Sequence, residues 1–458
     1  MQISKIEQVV RSIETAIQTG ALQPGSRLPS VRAAAEQYDV AKNTIVEAYA
    51  RLAALQSIYS RQGSGFFVSD RQKHISVNEE AVTQASDIVS LLRAQLKQDF
   101  DIRPGDGRPP LSWMQDTLPK RVDTSLLISM ETDQSGYGSP LGNTRLRELI
   151  ARRFANQGTS ISPSQIVTTF GANHALDLII RRYLSEGQTV LVDAPGYYPL
   201  FAKLKLAKVN AIGIPRGPTG PDLNALESLA HRYKPRLFFT QSTAHNPTGT
   251  SFDLQTAHNA LQLAVQHNFM IVDDDPFIDL HGHGVSGTRL WELDGFRKVI
   301  FVGSHSKLLS ASFRSGHIVA SPDLISDLTE LKMITAVNSS RLSEMLIAQM
   351  IESSRYDRHL KKLGRRLEDA RAACMKAIEQ LDLTPFSKNP NGFYTLVELP
   401  EDANIQRIQS LATKRRIFVA QGQWFFPSGS TAHKNSLRIN FSRSADKRFF
   451  NYLHELVT

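Results

Sequence analysis

Five polar clusters in the C-terminal three quarters of the chain could carry chemistry, and each follows a short apolar segment. One contains Lys307 in a Gly-Ser-His-Ser-Lys sequence, with Arg314 seven residues further on. A lysine amine can react covalently with a carbonyl group, and an arginine guanidinium favours phosphate. A second cluster, Asp273-Asp274-Asp275-Pro276, places three carboxylates at the end of an apolar segment. The others are Thr169-Phe170-Gly171-Ala172-Asn173, Asp193-Ala194-Pro195-Gly196-Tyr197-Tyr198 and Thr243-Ala244-His245-Asn246-Pro247-Thr248-Gly249.

Taken singly, these clusters have ordinary structural interpretations as well. The turn at Gly171 leads from a strand pattern into a helix pattern, so its free amides suit a phosphate. This signal is weak alone, because any strand-to-helix turn has the same form. Tyr197 could present an aromatic face to a ligand, but a tyrosine here is more often a packing residue. Asp273 and Asp275 have solvated or structural interpretations beside Asp274.

The elements that must position these clusters alternate between β and α patterns from about residue 120. Helix patterns, including 173–184 and 254–267, separate short apolar segments. Such a pattern is typical of a buried parallel or mixed sheet with helices on both faces. Ligands of these sheets bind at the carboxyl ends of the strands, and nearly every cluster lies just past one. The predicted strands are 165–169, 189–192, 209–214, 236–240, 270–273 and 299–302.

Together the clusters resemble those of the fold-type I pyridoxal-phosphate enzymes of the aminotransferase class. The sequences HNPTG, DDDP and SHSK occur in this order, with 28 residues from Asn246 to Asp274 and 33 from Asp274 to Lys307. The resemblance covers roughly residues 102–458. It implies an α/β fold with a mixed, mostly parallel sheet flanked by helices, and a small C-terminal α+β subdomain at about 340–458.

The resemblance also implies the cofactor, pyridoxal 5'-phosphate, and a role for each residue. Lys307 forms a Schiff base with the cofactor aldehyde, and Asp274 holds the pyridine nitrogen protonated so that the ring withdraws electrons. Asn246 donates a hydrogen bond to the 3-oxygen of the ring, and Tyr197 stacks on the ring. The phosphate is expected among Gly171, Ala172, Asn173, Ser304, Ser306 and Arg314.

Three further positions follow from the same resemblance. Tyr137, in Ser-Gly-Tyr-Gly-Ser-Pro-Leu-Gly, matches a tyrosine that family members contribute to the phosphate of the partner subunit, which implies a homodimer. Arg438, in Leu-Arg-Ile-Asn-Phe, matches the arginine that binds a substrate carboxylate. Phe277 is a departure, because the family usually has a tyrosine three residues past the aspartate. The lost hydroxyl should change the aldimine pKa, which argues against efficient transamination more than against cofactor binding.

The first seventy residues have a different pattern. Apolar residues recur at helical spacing in three short segments, and Ser30 is well placed to cap the second. Segments 58–60 and 66–68 then predict two short strands around a glycine-containing turn. This order is typical of a helix-turn-helix followed by a β-wing. By periodicity alone, a small three-helix packing module with a solvated polar face is an equal alternative.

The literal sequence resembles the GntR-type winged-helix regulators over this whole region. The resemblance is carried by TGALQPGSRLPSVRAAAEQYDVAKNTIVEAYARL and RQGSGFFV. One departure is Ala41, where the family usually has serine or threonine as the cap of the recognition helix. Double-stranded operator DNA is the implied partner, and a recognition helix meets DNA at its N-terminal end. The residues that fall where the family contacts DNA are Arg32, Lys42, Asn43, Thr44 and Gly63.

Both halves in one chain resemble the MocR-type regulators of the GntR group. The implied parts are a winged helix-turn-helix domain at 1–69, a linker at 70–101 and an aminotransferase-like domain at 102–458. The implied protein is a transcription regulator, not primarily an enzyme, that senses pyridoxal phosphate, an amine or an amino acid through an aldimine at Lys307. Two alternatives stay open: an active aminotransferase with a DNA-binding-like extension, and a scaffold that no longer binds cofactor.

Composition agrees with these interpretations but does not select among them. A chain of 458 residues should form two or three domains. Its longest apolar segments have strand length, well short of the ~20 residues of a membrane span, and the first residues show no signal sequence. The single cysteine, Cys374, excludes a disulfide framework and a multi-cysteine metal site. We therefore expect a cytoplasmic, metal-free protein, whose net charge of +9 permits a polyanionic partner.

Overall fold

The computed structural model divides the chain into two units, Met1–Val82 and Thr83–Thr458. No helix in the described part of the chain is long and apolar enough to cross a membrane. Most of the predicted linker lies outside the described residues, and the domain limits at 69 and 101 stay predictions. The structure describes residues 4–18, 21–23, 25–54, 57–61, 64–69, 92–93, 95–96, 100–114, 136–401, 403, 405–427, 433 and 435–457.

The N-terminal unit is a winged helix-turn-helix, as predicted. Its second helix begins behind Ser30, whose Oγ accepts a hydrogen bond from the amide of Ala33 at 3.2 Å. The two strands form an antiparallel wing in which Ile58 lies opposite Val68. Apolar residues at helical spacing fill one core, from Val9 and Ile13 to Leu52. The elements are α1 Lys5–Gln18, α2 Val31–Gln37, α3 Lys42–Ala54, β1 Ile58–Arg61 and β2 Gly65–Val68.

The second unit is built on an eight-stranded sheet whose order is β3-β10-β9-β8-β7-β4-β5-β6. Neighbouring strands from β9 to β5 are parallel, whereas β10 is antiparallel to both β3 and β9. The predicted mixed, mostly parallel sheet is therefore confirmed. The strands are β3 Ile166–Thr169, β4 Thr189–Ala194, β5 Asn210–Gly217, β6 Gly220–Pro221, β7 Leu237–Thr240, β8 Met270–Asp275, β9 Val299–Ser304 and β10 Gly316–Val319.

Both faces of this sheet are covered, which explains why its strands are apolar at almost every position. Along β9, Val299 and Phe301 belong to one core, and Ile300 and Val302 belong to the other. Successive side chains of a strand point to opposite faces, so a strand between two helical layers needs no polar positions.

The helices of the second unit cover the two faces of the sheet and continue into the C-terminal part. The predicted helices 173–184 and 254–267 are found at Ala172–Tyr183 and Leu254–Gln266. The helices are α4 Leu111–Met114, α5 Thr144–Asn156, α6 Ala172–Tyr183, α7 Tyr198–Leu206, α8 Leu223–Tyr233, α9 Leu254–Gln266, α10 Leu290–Asp294, α11 Pro322–Ala336, α12 Arg341–Glu352, α13 Arg355–Gln380, α14 Ile405–Lys414 and α15 Lys447–Val457. Short 3₁₀ turns cover Pro163–Gln165, Ile278–Leu280, Ala311–Phe313, Gly422–Phe425 and Phe441–Arg443.

A second, antiparallel sheet lies in the C-terminal part, as the predicted α+β subdomain requires. Its order is β11-β12-β14-β13, and β12 pairs with β14 along its whole length. The segment 102–105 joins this part, because the amide of Phe418 donates to Ile102 and the amide of Asn440 donates to Pro104, both at 2.8 Å. The strands are β11 Thr384–Pro385, β12 Tyr394–Glu398, β13 Ala420–Gln421 and β14 Ser436–Asn440.

Candidate cofactor site and DNA-contact surface

A cavity of about 550 Å³ opens at the carboxyl ends of β3, β8 and β9 in the second unit. It brings together side chains from segments that are far apart in the sequence. This is where a doubly covered sheet binds its ligands. The predicted site residues that line it are Ala172, Asn173, Tyr197, Asn246, Asp274, Ser304, Ser306, Lys307, Arg314 and Arg438.

Lys307 follows the end of β9 and is half-buried beside the segment at 105–108. Its Nζ donates to the carbonyl oxygen of Gly107, to which the hydroxyl of Tyr394 also donates at 2.8 Å. Burial, together with the positive charge of Arg438, lowers the pKa of the Lys307 amine to about 8. A larger fraction of the amine is therefore neutral near pH 7, and the neutral form is the nucleophile.

Asp274 is the penultimate residue of β8, and it has one satisfied and one unsatisfied oxygen. Its Oδ2 accepts from the side-chain Nε2 of Gln241 at 3.0 Å. Its Oδ1 is buried and has no hydrogen-bond partner in the described part of the chain. Burial, with the neighbouring charge of Asp273, raises the pKa of the Asp274 carboxyl to about 7. An unsatisfied buried acceptor is costly, and a protonated ring nitrogen would satisfy it.

The flanking carboxylates have structural roles, so the solvated interpretation of them is wrong. Asp273 accepts from Ser242 at 2.9 Å through the backbone amide and at 2.7 Å through the hydroxyl. Asp275 accepts from the Thr243 hydroxyl at 2.8 Å. Both are buried. They tie the end of β8 to the segment after β7 and so orient Asp274 between them.

The expected phosphate end of the cavity is formed by the turn into α6. Gly171 has a φ of 81°, which favours glycine, and a Cβ there would lie 3.2 Å from Nη2 of Arg314. That Nη2 donates to the carbonyl of Phe170 at 3.1 Å. The amide of Ser306 donates to Oγ of Ser304 at 3.2 Å, and both serine hydroxyls donate to the carbonyl of Ser315 at 3.4 Å. Free amides, hydroxyls and a guanidinium suit a phosphate.

Arg438 and Asn246 are joined at the floor of the cavity. Nη1 of Arg438 donates to Oδ1 of Asn246 at 2.9 Å, and Nη2 donates to the carbonyl of Gly105 at 2.6 Å. The guanidinium lies 5.0 Å from the ring centres of both Tyr394 and Phe425, and the residue is 2% exposed. Because Oδ1 of Asn246 is used as an acceptor, its amide NH₂ is the group left to donate to a cofactor oxygen.

Phe277 occupies the position at which a tyrosine was expected. It is buried, with its ring centre 4.9 Å from that of Phe393 and 6.0 Å from that of Tyr394. The position therefore carries no hydroxyl and packs against the strand that contains Tyr394.

Sequence reasoning missed several parts of the site, and for two of them the sequence held a signal. The first is Gln241, whose Oε1 accepts from the amide of Asn246 at 2.7 Å. It directly follows the predicted strand 236–240, which is the signal that could have found it. The second is a buried ion pair in which Nη1 of Arg216 donates to Oδ2 of Asp193 at 2.9 Å. An arginine two residues past the predicted strand 209–214, together with the aspartate of the Asp193 cluster, was the signal for this pair.

Next to this ion pair is a neutral histidine. Nδ1 of His245 is hydrogen-bonded to Oγ1 of Thr248 at 2.8 Å, and its Nε2 lies 3.5 Å from Oδ2 of Asp193. Burial and the charge of Arg216 hold the pKa of His245 well below its ordinary value. The ring is thus a packing and hydrogen-bonding group beneath the cavity.

Tyr137 is a predicted cofactor residue that lies away from the cavity, and it is 71% exposed. Its segment is anchored from both sides. The guanidinium of Arg341 donates to the carbonyl of Gly136 at 3.1 Å, and the buried Lys332 donates to the carbonyl of Pro140 at 2.7 Å. An exposed tyrosine on an anchored segment is available to a neighbouring molecule.

Four of the five predicted DNA-contact residues lie at the start of α2 and α3. Arg32, Lys42 and Asn43 are exposed and Thr44 is half-buried, whereas Gly63 lies outside the described residues. Ala41 precedes α3 and offers only its carbonyl, which accepts from the amide of Thr44 at 2.9 Å. The helix start therefore presents its free amides next to a cationic side chain, an arrangement that suits phosphate.

A fold-type I unit with this set of residues, joined to a winged helix-turn-helix, defines the class of protein. Residues 105–450 match the family "Aminotransferase class I and II", and residues 5–68 match "Bacterial regulatory proteins, gntR family". The chain belongs to the aminotransferase class I and II family and carries an N-terminal domain of the gntR family.

Proteins similar to this chain include regulators of similar length. It is 26% identical over 446 residues to the HTH-type transcriptional regulator NorG of Staphylococcus aureus (strain USA300), covering 94% of this chain and 99% of that protein. It is 26% identical over 441 residues to the uncharacterized HTH-type transcriptional regulator YdcR of Escherichia coli (strain K12), covering 92% of each chain.

Solved structures agree on the fold of the second unit. The kynurenine aminotransferase of Pyrococcus horikoshii is similar with a TM-score of 0.73 and 24% identity, covering 85% of this chain and 97% of that one. LysN of Thermus thermophilus, an alpha-aminoadipate aminotransferase complexed with N-(5'-phosphopyridoxyl)-L-leucine, has a TM-score of 0.68 and 23% identity, covering 80% and 92%. The family implies pyridoxal phosphate as the cofactor, and the orphaned Oδ1 of Asp274 and the glycine turn at 171 fit it.

Proposed function

We propose that this protein is a pyridoxal-phosphate-dependent transcription regulator. It binds double-stranded operator DNA through the N-terminal unit and senses pyridoxal phosphate, an amine or an amino acid in the cavity around Lys307. The observation that carries the proposal is the presence of a cofactor residue set and a winged helix-turn-helix in one chain. Relatives that span almost the whole chain and bear the names of transcriptional regulators support it.

Each residue of the cavity binds a different part of the cofactor in this proposal. Pyridoxal phosphate, when bound, supplies an aldehyde that reacts with amines and a ring that withdraws electrons. Lys307 presents its amine with a pKa lowered to about 8, and Asp274 accepts from the ring nitrogen. Asn246 donates to the 3-oxygen, and Tyr197 packs against the ring. The phosphate is bound by Gly171, Ala172, Asn173, Ser304, Ser306 and Arg314.

Arg438 is the residue for an effector carboxylate. Its Nε has no partner in the described part of the chain, whereas its two terminal nitrogens bond to Asn246 and Gly105. A carboxylate that competes for the guanidinium would release the carbonyl of Gly105 and, with it, the segment that contacts Lys307. Such an effector can shift the conformation of the protein only by its differential affinity for the two states.

The second unit forms a homodimer in this proposal, and Tyr137 donates to the cofactor phosphate of the partner subunit. The exposure of Tyr137 supports this arrangement, and so do the exposed apolar side chains of Met333, Ile334 and Val337 next to the anchoring Lys332.

A DNA-binding protein with a free, buried Cys374 is expected to act in the cytoplasm.

On the DNA side, Arg32, Lys42, Asn43 and Thr44 contact phosphates or base edges from the recognition helix and its neighbour, and Gly63 brings the wing close to the backbone. The ion pair between Arg32 and Glu36 does not oppose this role, because both side chains are exposed and 3.8 Å apart, and such pairs are weak.

An active aminotransferase is the second candidate, favoured by the retention of Lys307, Asp274, Asn246 and Arg314 in one cavity. One experiment separates the two functions. Wild-type protein is titrated with the DNA upstream of its own gene, and separately tested for turnover of common amino acids with a keto acid, with Lys307→Ala as the control for chemistry. Specific DNA binding, together with amino-acid turnover that does not go beyond a half-reaction, supports the regulator. Rapid turnover with no DNA binding contradicts it.

A further inference from the structure

The first three turns of α13, Arg355–Gln380, carry an unusual excess of positive charge. Residues 355–366 contain six lysines and arginines but only one acidic residue, Asp357. Five of these cations are exposed. One of the five, Lys362, has an interaction within the protein and is set aside. The other four are called the basic stripe below: Arg355, Arg358, Lys361 and Arg365.

The spacing of the basic stripe puts its members on one side of the helix. Steps of three, three and four residues at 100° each keep all four within roughly 120° of arc, and ten residues span about 15 Å. The opposite side of the same turns is buried through Tyr356, Leu360 and Leu363. The stripe is therefore a continuous cationic ridge on a helix that packs firmly against the core.

Within the described residues no acidic side chain pairs with this ridge, and the next acids on the helix, Glu368 and Asp369, lie past its C-terminal end. Asp357 is taken up by Arg153, whose Nη1 donates to its Oδ1 at 2.9 Å. None of the four cations forms an ion pair within the residues that the structure describes. Arg365 makes one long contact along its own helix, from Nε to the carbonyl of Lys361 at 3.4 Å.

The position of the stripe also opposes the helix dipole. Arg355 and Arg358 lie at the start of the helix, where the positive end of the dipole favours anions and disfavours cations. Elsewhere in the chain the dipole explains basic residues, as with His231 and Arg232 in the last turn of α8. Cations at a helix start, with no counterion among the described residues, lower the local stability of the helix. Such a cost in stability is expected where a surface has a binding role.

We propose that the basic stripe contacts the phosphate backbone of DNA that flanks the operator. The aminotransferase-like unit then adds affinity without sequence preference, because phosphate contacts position a protein on DNA but carry no base information. This inference rests on the proposed function, which supplies DNA as the polyanion. A duplex matches the stripe in charge: it carries one negative charge per ~1.7 Å of axis, so ~15 Å of ridge faces several phosphates.

The test compares two triple variants of the full chain, each losing three positive charges. Arg358→Gln/Lys361→Gln/Arg365→Gln removes most of the stripe. Lys388→Gln/Lys414→Gln/Lys447→Gln is the matched control, since its three lysines are exposed on the same unit but lie outside α13. Both are titrated with promoter DNA from upstream of the gene. One fragment is trimmed to the segment whose mutation abolishes binding, and the other is extended by flanking sequence.

For the extended fragment, we expect the stripe variant to bind about 10- to 100-fold more weakly than wild type near ~0.1 M salt. Its plot of log affinity against log salt should be flatter by up to about 2.7, or ~0.9 for each lost phosphate contact. The control variant should bind like wild type, and all proteins should bind the trimmed fragment alike. Unchanged circular dichroism and cofactor absorbance would show that the variants are folded.

The two failures are distinguishable. If wild type binds the trimmed fragment but gains nothing from flanking DNA, or if the stripe variant matches the control, the role of the stripe is wrong and the proposed function stands. If wild type binds neither fragment, the proposed function is wrong, and the proposed role of the stripe is wrong as well because it requires DNA as the partner.

Discussion

Gln241 connects the two residues expected to face the cofactor ring: its Nε2 lies 3.0 Å from Oδ2 of Asp274, and its Oε1 lies 2.7 Å from the backbone nitrogen of Asn246. The side chain of Gln241 therefore fixes the position of Asp274, the expected partner of the ring nitrogen, relative to Asn246, the expected partner of the 3-oxygen. Because the amide donates to Asp274, it offsets part of the rise that burial causes, and the pKa of that carboxyl is about 7 with Gln241 in place.

Replacing Gln241 by leucine should weaken cofactor binding. A hydrogen bond to a charged group contributes about 1.5–3 kcal/mol, so the dissociation constant of pyridoxal phosphate should rise about 10-fold or more. Without the donor, the pKa of Asp274 rises further, and the anionic form that accepts from the ring nitrogen is reached only at higher pH. The pH midpoint of cofactor affinity, measured by absorbance titration, should therefore move upward. Gln262→Leu, at an exposed site, is the control, and equal behaviour of the two variants would contradict the role of Gln241.

Lys307 should capture carbonyl compounds at an unusually low pH. The reactive form is the neutral amine, and a pKa of about 8 means that the capture rate rises with pH and reaches half its maximum near pH 8. An ordinary lysine reaches that point near pH ~10.4. The measurement is the rate of covalent cofactor trapping by borohydride as a function of pH. Lys307→Ala should lose the trapped cofactor while keeping its fold, and Lys376→Ala should keep it. Trapping that survives in Lys307→Ala would assign the chemistry to another residue.

Tyr137→Phe should weaken cofactor binding without dissociating the protein. The substitution removes only the hydroxyl that is expected to reach the partner's phosphate, and a hydrogen bond to a charged group contributes about 1.5–3 kcal/mol. Cofactor affinity should fall about 10-fold or more, while sedimentation shows a dimer for both wild type and variant. Tyr59→Phe, an exposed tyrosine of the N-terminal unit, serves as control. Monomeric wild type at micromolar concentration would exclude the shared site.

Lys42→Ala and Arg32→Ala should reduce DNA binding and leave the cofactor spectrum unchanged, because the two sites lie in different units. If the lost contact is to a phosphate, all sequences bind more weakly and the salt slope falls by about one unit. If it is to a base edge, one position loses roughly 1–3 kcal/mol of discrimination. The measurement is a salt titration of promoter binding. Lys5→Ala, at an exposed position of α1, should bind DNA like wild type. An equal loss of DNA affinity in Lys5→Ala would show that the overall charge of the unit, and not a specific contact, causes the effect.

Local patterns were sufficient for the architecture. Apolar residues at helical spacing placed α1 to α3, and short apolar segments separated by helices placed β3, β4, β7, β8 and β9 within a few residues. These patterns are informative because burial of one helix face or both strand faces restricts the residue type at every position. The short strands β6, β11 and β13 were not predicted, since two residues carry no periodicity. The longer strands β10 and β12 were not among the predicted strands either.

The cluster sequences also placed nine of the predicted site residues in one cavity, because the ends of neighbouring strands meet at one edge of a sheet. The tenth, Arg438, comes from β14 of the C-terminal sheet. The sequence patterns did not identify Gln241, Gly107 or Tyr394 as parts of the site. Gly107 lies 200 residues before Lys307 in the sequence, and Tyr394 reaches the same carbonyl from the C-terminal sheet. No local signal reports contacts over such separations.

The sequence by itself thus determined the two units, the sheet with its helices, and the lysine, aspartate and asparagine of the cavity. Those features depend on periodicity and on residue type at fixed spacing, both of which are written in the order of the chain. Only the tertiary structure decided that Arg438 is bonded to Asn246 and Gly105, that Asp274 keeps one oxygen without a partner among the described residues, and that Tyr137 lies away from its own cavity. Burial and hydrogen-bond geometry depend on residues brought together from distant segments, and burial is the largest cause of the pKa shifts of Lys307 and Asp274.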